Sequence, residues 1–127
     1  MIYLSEAALQ YAVAKCREEC GYKIGIVPYQ FSDNLKISRS LGIYLSPIPD
    51  YKVKRYADRR DIIFDNKSLI RIIPTTDASK GFRHHLLIAD SRIPENILNT
   101  VFRPMETLER MKNDLKNETE IEEYICN

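Results

Sequence analysis

No stretch of this chain is apolar for long. Uninterrupted apolar runs stop at four residues, as in Leu86-Leu87-Ile88-Ala89, against the ~20 that a membrane-spanning helix needs. The first residues carry no basic segment ahead of an apolar core, so nothing there reads as a secretion signal. Cysteines are few and odd in number, Cys16, Cys20 and Cys126. That argues against a disulfide framework and for reduced thiols in a cytoplasm. Charge of one sign is missing as well: 19 Lys and Arg face 18 Asp and Glu, a net +1. No global field therefore draws the molecule to nucleic acid or to an anionic membrane. The four glycines, Gly21, Gly25, Gly42 and Gly81, never assemble into G-x-x-x-x-G-K-[ST], so the glycine loop that cradles phosphates is not encoded. Neither an internal repeat nor a low-complexity segment occurs.

What remains is an ordinary globule. At 127 residues, 44% apolar and 29% charged, the chain is long enough for one domain with its own core. Its charge is uneven. Lys52, Lys54, Arg55, Arg59 and Arg60 stand against the single Asp58 within residues 52–60, while the tail from Glu106 is mostly acidic. The basic stretch is either a phosphate-backbone contact or a solvated connector.

Ser5 can cap a helix with Glu6 in its first turn and Leu9, Ala12/Val13, Cys16 and Cys20 along one face, stopped by Gly21. Cys16 and Cys20 on that face read as small buried side chains rather than as half of a zinc site. Lys23–Val27 is expected to be a buried parallel strand. A second helix runs from Ser32-Asp33 through Leu35, Ile37 and Leu41 and fades near Gly42. Residues 43–60, with Pro47 and Pro49, read as loop with at most one short strand or helical turn. Asp61–Phe64 and Leu69–Ile73 flank the tetrad Asp65-Asn66-Lys67-Ser68, a β-hairpin with Asn66 suited to the positive φ. A polar loop from Thr75 to Lys80 leads to Gly81, and Leu86–Ala89 is a third buried strand that ends on Asp90. Pro94 starts a helix with Ile97, Leu98, Val101 and Phe102 as its apolar face. A last amphipathic helix over 105–125 carries Met105, Leu108, Met111, Leu115, Ile121 and Ile125. The expected architecture is α/β: a small three-layer sandwich with a short, mostly parallel sheet and one β-hairpin. Residues 1–104 form the domain, and 105–127 a helix packed on it or extending it.

An apolar strand with an acid at its carboxyl tip is how nucleotide-hydrolysing α/β proteins place a Mg²⁺ ligand. Three pieces recur here in a fixed order: the pattern I-x-F-x-N-x-S-x-I, as Ile62-Ile63-Phe64-Asp65-Asn66-Lys67-Ser68-Leu69-Ile70; the turn Lys80-Gly81-Phe82-Arg83 before the acid-ending strand; and a segment closing on Arg103-Pro104. Over roughly residues 5–104 this order resembles the ATPase domain of the large terminase subunits of tailed bacteriophages, a P-loop fold of the ASCE type. The resemblance implies a truncated P-loop-NTPase-like fold of phage or prophage origin, with Asp90 at the metal-binding acid. Ser91 stands where that family has its catalytic glutamate, and the Walker A loop is absent. Without both, neither tight nucleotide binding nor hydrolysis is expected. The implied role is a non-catalytic accessory or binding protein needing no cofactor, with Asp90 the one residue that would retain Mg²⁺. Its partners would be a packaging-motor subunit, a second copy of itself or DNA, contacted through Lys52, Lys54, Arg55, Arg59, Arg60 and Arg83.

A second class competes. Pro49-Asp50 followed by Asp65-Asn66-Lys67 satisfies the string of the PD-(D/E)xK nucleases, in which two carboxylates hold a metal and a lysine positions water. Asp65 and Lys67 fall in the expected hairpin turn, however, with the polar Asn66 between them, and a plain turn is the favoured reading. His84-His85 beside Arg83 and Asp90 is a further polar cluster, and at most one of the adjacent imidazoles can share a face with Asp90. Tyr44, Tyr51 and Tyr56 interleave with the basic stretch, as aromatics do in single-strand binding and in protein interfaces.

Overall fold

The computed structural model describes residues 1–73 and 83–106. Six strands form one mixed sheet in the order β1-β6-β2-β5-β4-β3: β1 Ile2–Tyr3, β2 Lys23–Val27, β3 Tyr51–Arg55, β4 Arg60–Phe64, β5 Leu69–Ile72 and β6 Leu86–Ala89. β1, β6, β2 and β5 run parallel; β4 and β3 are antiparallel additions at one edge. With helices α1 (Glu6–Glu18), α2 (Asp33–Leu45) and α3 (Glu95–Ile97), the chain is a small α/β protein, consistent with an α/β sandwich.

Side chains alternate across each strand, so the sheet has two apolar faces. On one, Ile24, Ile26, Ile62, Phe64, Ile70, Ile72 and Ile88 pack against α1 and α2. On the other, Val27, Ile73, Leu87 and Ala89 meet Ile93, Leu98, Phe102 and Met105. Each fully buried side chain of this size contributes about 1.5–3 kcal/mol. Gly25 lies on the second face, where a Cβ would come within 2.7 Å of Leu87 Cδ2 and 3.1 Å of the His84 ring. The break in the apolar block of β2 is therefore a steric requirement.

α1 begins as its sequence dictates. Ser5 is extended (φ −160°, ψ 168°) and its hydroxyl accepts the Ala8 N–H at 3.0 Å; Glu6 occupies the first turn and Lys15 and Arg17 the last. In α2 the buried positions are Asn34, Ile37, Leu41 and Leu45, a stripe with a polar residue at its head.

Several expectations are corrected. Ile2 and Tyr3, ahead of the first element that the sequence marks, pair with Ile88 and Ala89 and fill the place beside β6. Residues 43–60 hold the one short strand the sequence allows, Tyr51–Arg55, which as edge strand β3 extends the expected hairpin into a β3-β4-β5 meander, while α2 continues to Leu45 rather than fading near Gly42. Alternation in β3 is hidden because Lys52, Val53, Lys54 and Arg55 are all exposed. α1 ends at Glu18, so Cys20 lies beyond the helix and shares no helical face with Cys16. The Pro94 helix spans only Glu95–Ile97, then widens into a π-turn over Leu98–Phe102 and tightens into a 3₁₀ turn over Arg103–Met105. That path turns Ile97 outward (39% exposed) and buries Leu98, Phe102 and Met105. Met105 thus opens no new helix. The following Glu106 is built into the sheet: its carboxylate accepts the Leu87 N–H at 2.7 Å. The Thr75–Gly81 loop, Leu108 to Ile125 and Cys126 lie outside the described residues. Among the described residues, no helix is long and apolar enough to cross a membrane.

Candidate functional site

The carboxyl ends of parallel strands are where α/β folds place ligands. Here β1 and β6 end on a cleft of about 180 Å³ between the first turns of α1 and α2, lined by Ser5, Glu6, Asp33, Lys36, Asp90 and Arg92 among others. Asp90 extends the β6 ladder through its N–H to Val27 O (3.0 Å). Its carboxylate is committed to Arg92: Oδ1 accepts the Arg92 backbone N–H (2.9 Å) and Nε (3.0 Å), and Oδ2 accepts Nη2 (2.8 Å). These bonds hold the Asp90 carboxyl below the usual carboxylate range. Arg92 also reaches Asp33 Oδ2 at 3.3 Å and lies over the Tyr29 ring at 4.5 Å. Glu6 accepts from Tyr44 Oη (2.7 Å) and Ser40 Oγ (3.0 Å), which lowers its pKa and raises that of Tyr44. Ser91 is exposed in the turn that Asp90 and Arg92 close.

The PD-(D/E)xK string is brought together through the backbone alone: Asp65 N–H donates to Asp50 O at 2.9 Å. The Asp50 carboxylate faces Arg17, whose Nε and Nη2 donate at 3.0 and 3.1 Å. Arg17 meanwhile caps the end of α2 through Leu45 O at 2.5 Å and Tyr44 O at 3.3 Å. Asp65 and Lys67 are exposed in the β4–β5 turn. Lys67, and not Asn66 as expected, takes the positive φ (73°). With Lys67 N–H on Phe64 O (3.0 Å) and Phe64 N–H on Ser68 O (2.9 Å), this is a turn closed by a bulge residue.

Asn66 does something else. Its Nδ2 donates to Cys16 O (2.7 Å) and, at longer range, to Glu19 O (3.4 Å), while its Oδ1 accepts the Ser68 N–H (3.0 Å). Ser68 Oγ donates to Glu19 O (2.5 Å) and accepts the Tyr22 N–H (3.1 Å). The I-x-F-x-N-x-S-x-I pattern is thereby explained within this chain. Ile62, Phe64 and Ile70 fill the core, and Asn66 and Ser68 clamp the carboxyl end of α1.

The histidines do not join Asp90. They precede β6, and at about 3.3 Å per residue they lie roughly 17–20 Å from its acidic end. His85 stacks on Tyr22 (4.8 Å between centroids) and its Nδ1 accepts the Lys23 N–H at 3.0 Å. Burial, with Arg71, Lys23, His85 and Arg83 nearby, lowers the His84 pKa to about 3. Burial pushes the Cys16 thiol up to about 12, as suits an inert core side chain. Among the described residues, no three His, Cys, Asp or Glu side chains gather as a metal site.

The basic stretch does not form a single stripe. Lys52 and Lys54 pair across from Ile63 and Asp61, whereas Arg55 pairs with Arg60 on the face toward α2. Arg55, Arg59 and Arg60 line a cleft of about 430 Å³ with Phe31, Asn34 and Tyr56. Arg59 lies 3.9 Å over the Tyr56 ring. Arg83 is exposed beside His84, at the far end of β6. Asn34 was not anticipated as a lining residue, although a polar side chain heading the stripe Ile37, Leu41, Leu45 was a readable sign. Arg17 and Arg92 left a fainter one, since a guanidinium's partners are set by tertiary approach. No family model, curated protein or solved structure matches the chain, so its function is read from its own residues.

Proposed function

We propose that this protein is a non-catalytic binding module of phage or prophage origin. It is related to the ATPase domain of large terminase subunits and acts in the bacterial cytoplasm through contacts with a protein partner or DNA. The fold is then a truncated relative of P-loop NTPases, a three-layer sandwich in which β1 passes to α1 through Leu4-Ser5 alone. One observation carries the reading. The cleft at the strand ends, where a nucleotide's phosphates would lie, holds Glu6, Asp33 and Asp90, and its Arg92 is already bound to two of these acids. A polyphosphate there would meet three carboxylates against Lys36 and an Arg92 that is already engaged, in place of a loop of backbone N–H groups. One orphan donor of α1, the Ala8 N–H, is also engaged, by the Ser5 hydroxyl.

Isothermal titration with ATP and Mg²⁺ tests this. No saturable heat and no phosphate release above buffer are expected. Saturable binding with turnover would overturn the proposal and return Asp90 to a metal-binding role, to be checked with Asp90→Asn.

A further inference from the structure

Two polar atoms on α2 are orphaned: Asn34 Oδ1 and Ser38 Oγ are shut from solvent and have no hydrogen-bond partner among the described residues. Four residues apart, they share one helix face. Each such atom costs about 1–3 kcal/mol unless something satisfies it. Opposite this face, Arg55 and Arg60 stand directly across from one another on β3 and β4. Like charges in that position repel, and neither has an acidic partner among the described residues. Both arginines line the 430 Å³ cleft that Asn34 borders and the adjoining one of about 120 Å³ that Ser38 borders. The unsatisfied groups and the uncompensated charge thus meet in one place. At its mouth, Phe31 is 68% exposed and Tyr56 44% exposed.

We propose that this cleft is a seat for single-stranded nucleic acid. A phosphodiester lies between Arg55 and Arg60 and accepts the Ser38 hydroxyl, which reaches the cleft by rotation about χ1. Asn34 Oδ1 needs a donor, which a bare phosphate lacks and a base's amino group supplies once the Asn34 side chain turns toward the cleft. Phe31 and the Arg59–Tyr56 stack offer flat faces to neighbouring bases. The cleft is the size of one nucleotide unit rather than of a duplex groove. The proposal deepens the binding-module reading and rests on it. It departs from the sequence expectation by excluding Lys52, Lys54 and Arg83 from the seat.

The test is fluorescence anisotropy of a short fluorescein-labelled single strand of mixed sequence, with the full chain at low salt. The double variant Arg55→Ala/Arg60→Ala is expected to weaken binding by at least roughly tenfold and to flatten its salt dependence. Ser38→Ala and Asn34→Ala should each weaken it by about three- to tenfold. Lys52→Ala/Lys54→Ala, on the opposite face, should change it less than about twofold. Circular dichroism melts identify any variant that has lost its fold. A duplex of the same sequence should bind more weakly than the single strand. The seat is overturned by absence of oligonucleotide binding, by equal losses in the lysine and arginine pairs, or by preference for a poly-glutamate peptide. Those outcomes leave the non-catalytic reading standing, whereas ATP turnover would remove that reading and not the seat.

Discussion

Asn66 is the side chain on which the end of α1 most depends, and Asn66→Ala isolates its contribution. The amide satisfies Cys16 O at 2.7 Å and the Ser68 N–H at 3.0 Å, with a longer contact to Glu19 O at 3.4 Å. Cys16 is itself fully buried, so water cannot readily replace the lost donor. Each good bond contributes about 1 kcal/mol net, and an abandoned buried partner costs more. The expected loss is therefore about 2–3 kcal/mol, or roughly 6–12 °C in Tm for a chain of this length. Urea unfolding followed by circular dichroism measures it, with the m-value unchanged. Asp65→Ala in the same turn is the control, since that side chain is exposed, and should shift stability by less than about 0.5 kcal/mol. A double-mutant cycle with Ser68→Ala should show coupling, because both side chains converge on Glu19 O. A loss under about 0.5 kcal/mol for Asn66→Ala, or an equal loss for Asp65→Ala, would refute the clamp.

Arg17→Met keeps the aliphatic stem but strips Leu45 O, Tyr44 O and the Asp50 carboxylate of their donor. About 2 kcal/mol should be lost in urea unfolding, with Asp50→Asn milder; equal stability of Arg17→Met and wild type would show that the cap of α2 is dispensable. His84, with its pKa lowered to about 3, stays neutral in the fold while the unfolded chain binds a proton below about pH 6.5. Between those two values the unfolded state holds more protons, so stability falls as pH falls, by up to about 1.4 kcal/mol per unit. His84→Phe should flatten that slope in urea titrations between pH 6 and 5, above most carboxylate titration, and an unchanged slope would remove His84 as its source.

Legibility from sequence followed how local each signal was. Ser5 as cap, the β4–β5 hairpin and the apolar block of β6 are settled within a few residues, and all three are where the sequence puts them. β1 was invisible because two residues, both more than a third exposed, carry no period; only the edge of β6 makes them a strand. β3 was hidden by its edge position, where solvent takes both faces and alternation disappears. Asn66 and Lys67 exchanged roles for a tertiary reason. Asparagine is the better left-handed residue in isolation, but its amide is the group that can reach Cys16 O, so the neighbouring lysine takes the positive φ.

The same division of labour separates residues that hold the fold from residues left free to bind. The pattern that carried the resemblance, Ile62 to Ile70, is fully used in holding α1 to the sheet. It would be selected in any protein keeping this α1–hairpin junction, whether or not phosphates were ever bound nearby. Asp90 is similar: its Arg92-locked turn gives a strand-end acid a use without metal. The groups that no internal contact accounts for lie elsewhere, on the face of α2 that meets β3 and β4. Asn34 Oδ1, Ser38 Oγ and the opposed Arg55 and Arg60 charges have no compensating partner among the described residues. Local cost without a local return is what a binding surface leaves in a structure, and this edge, not the strand-end cleft, is where it is found.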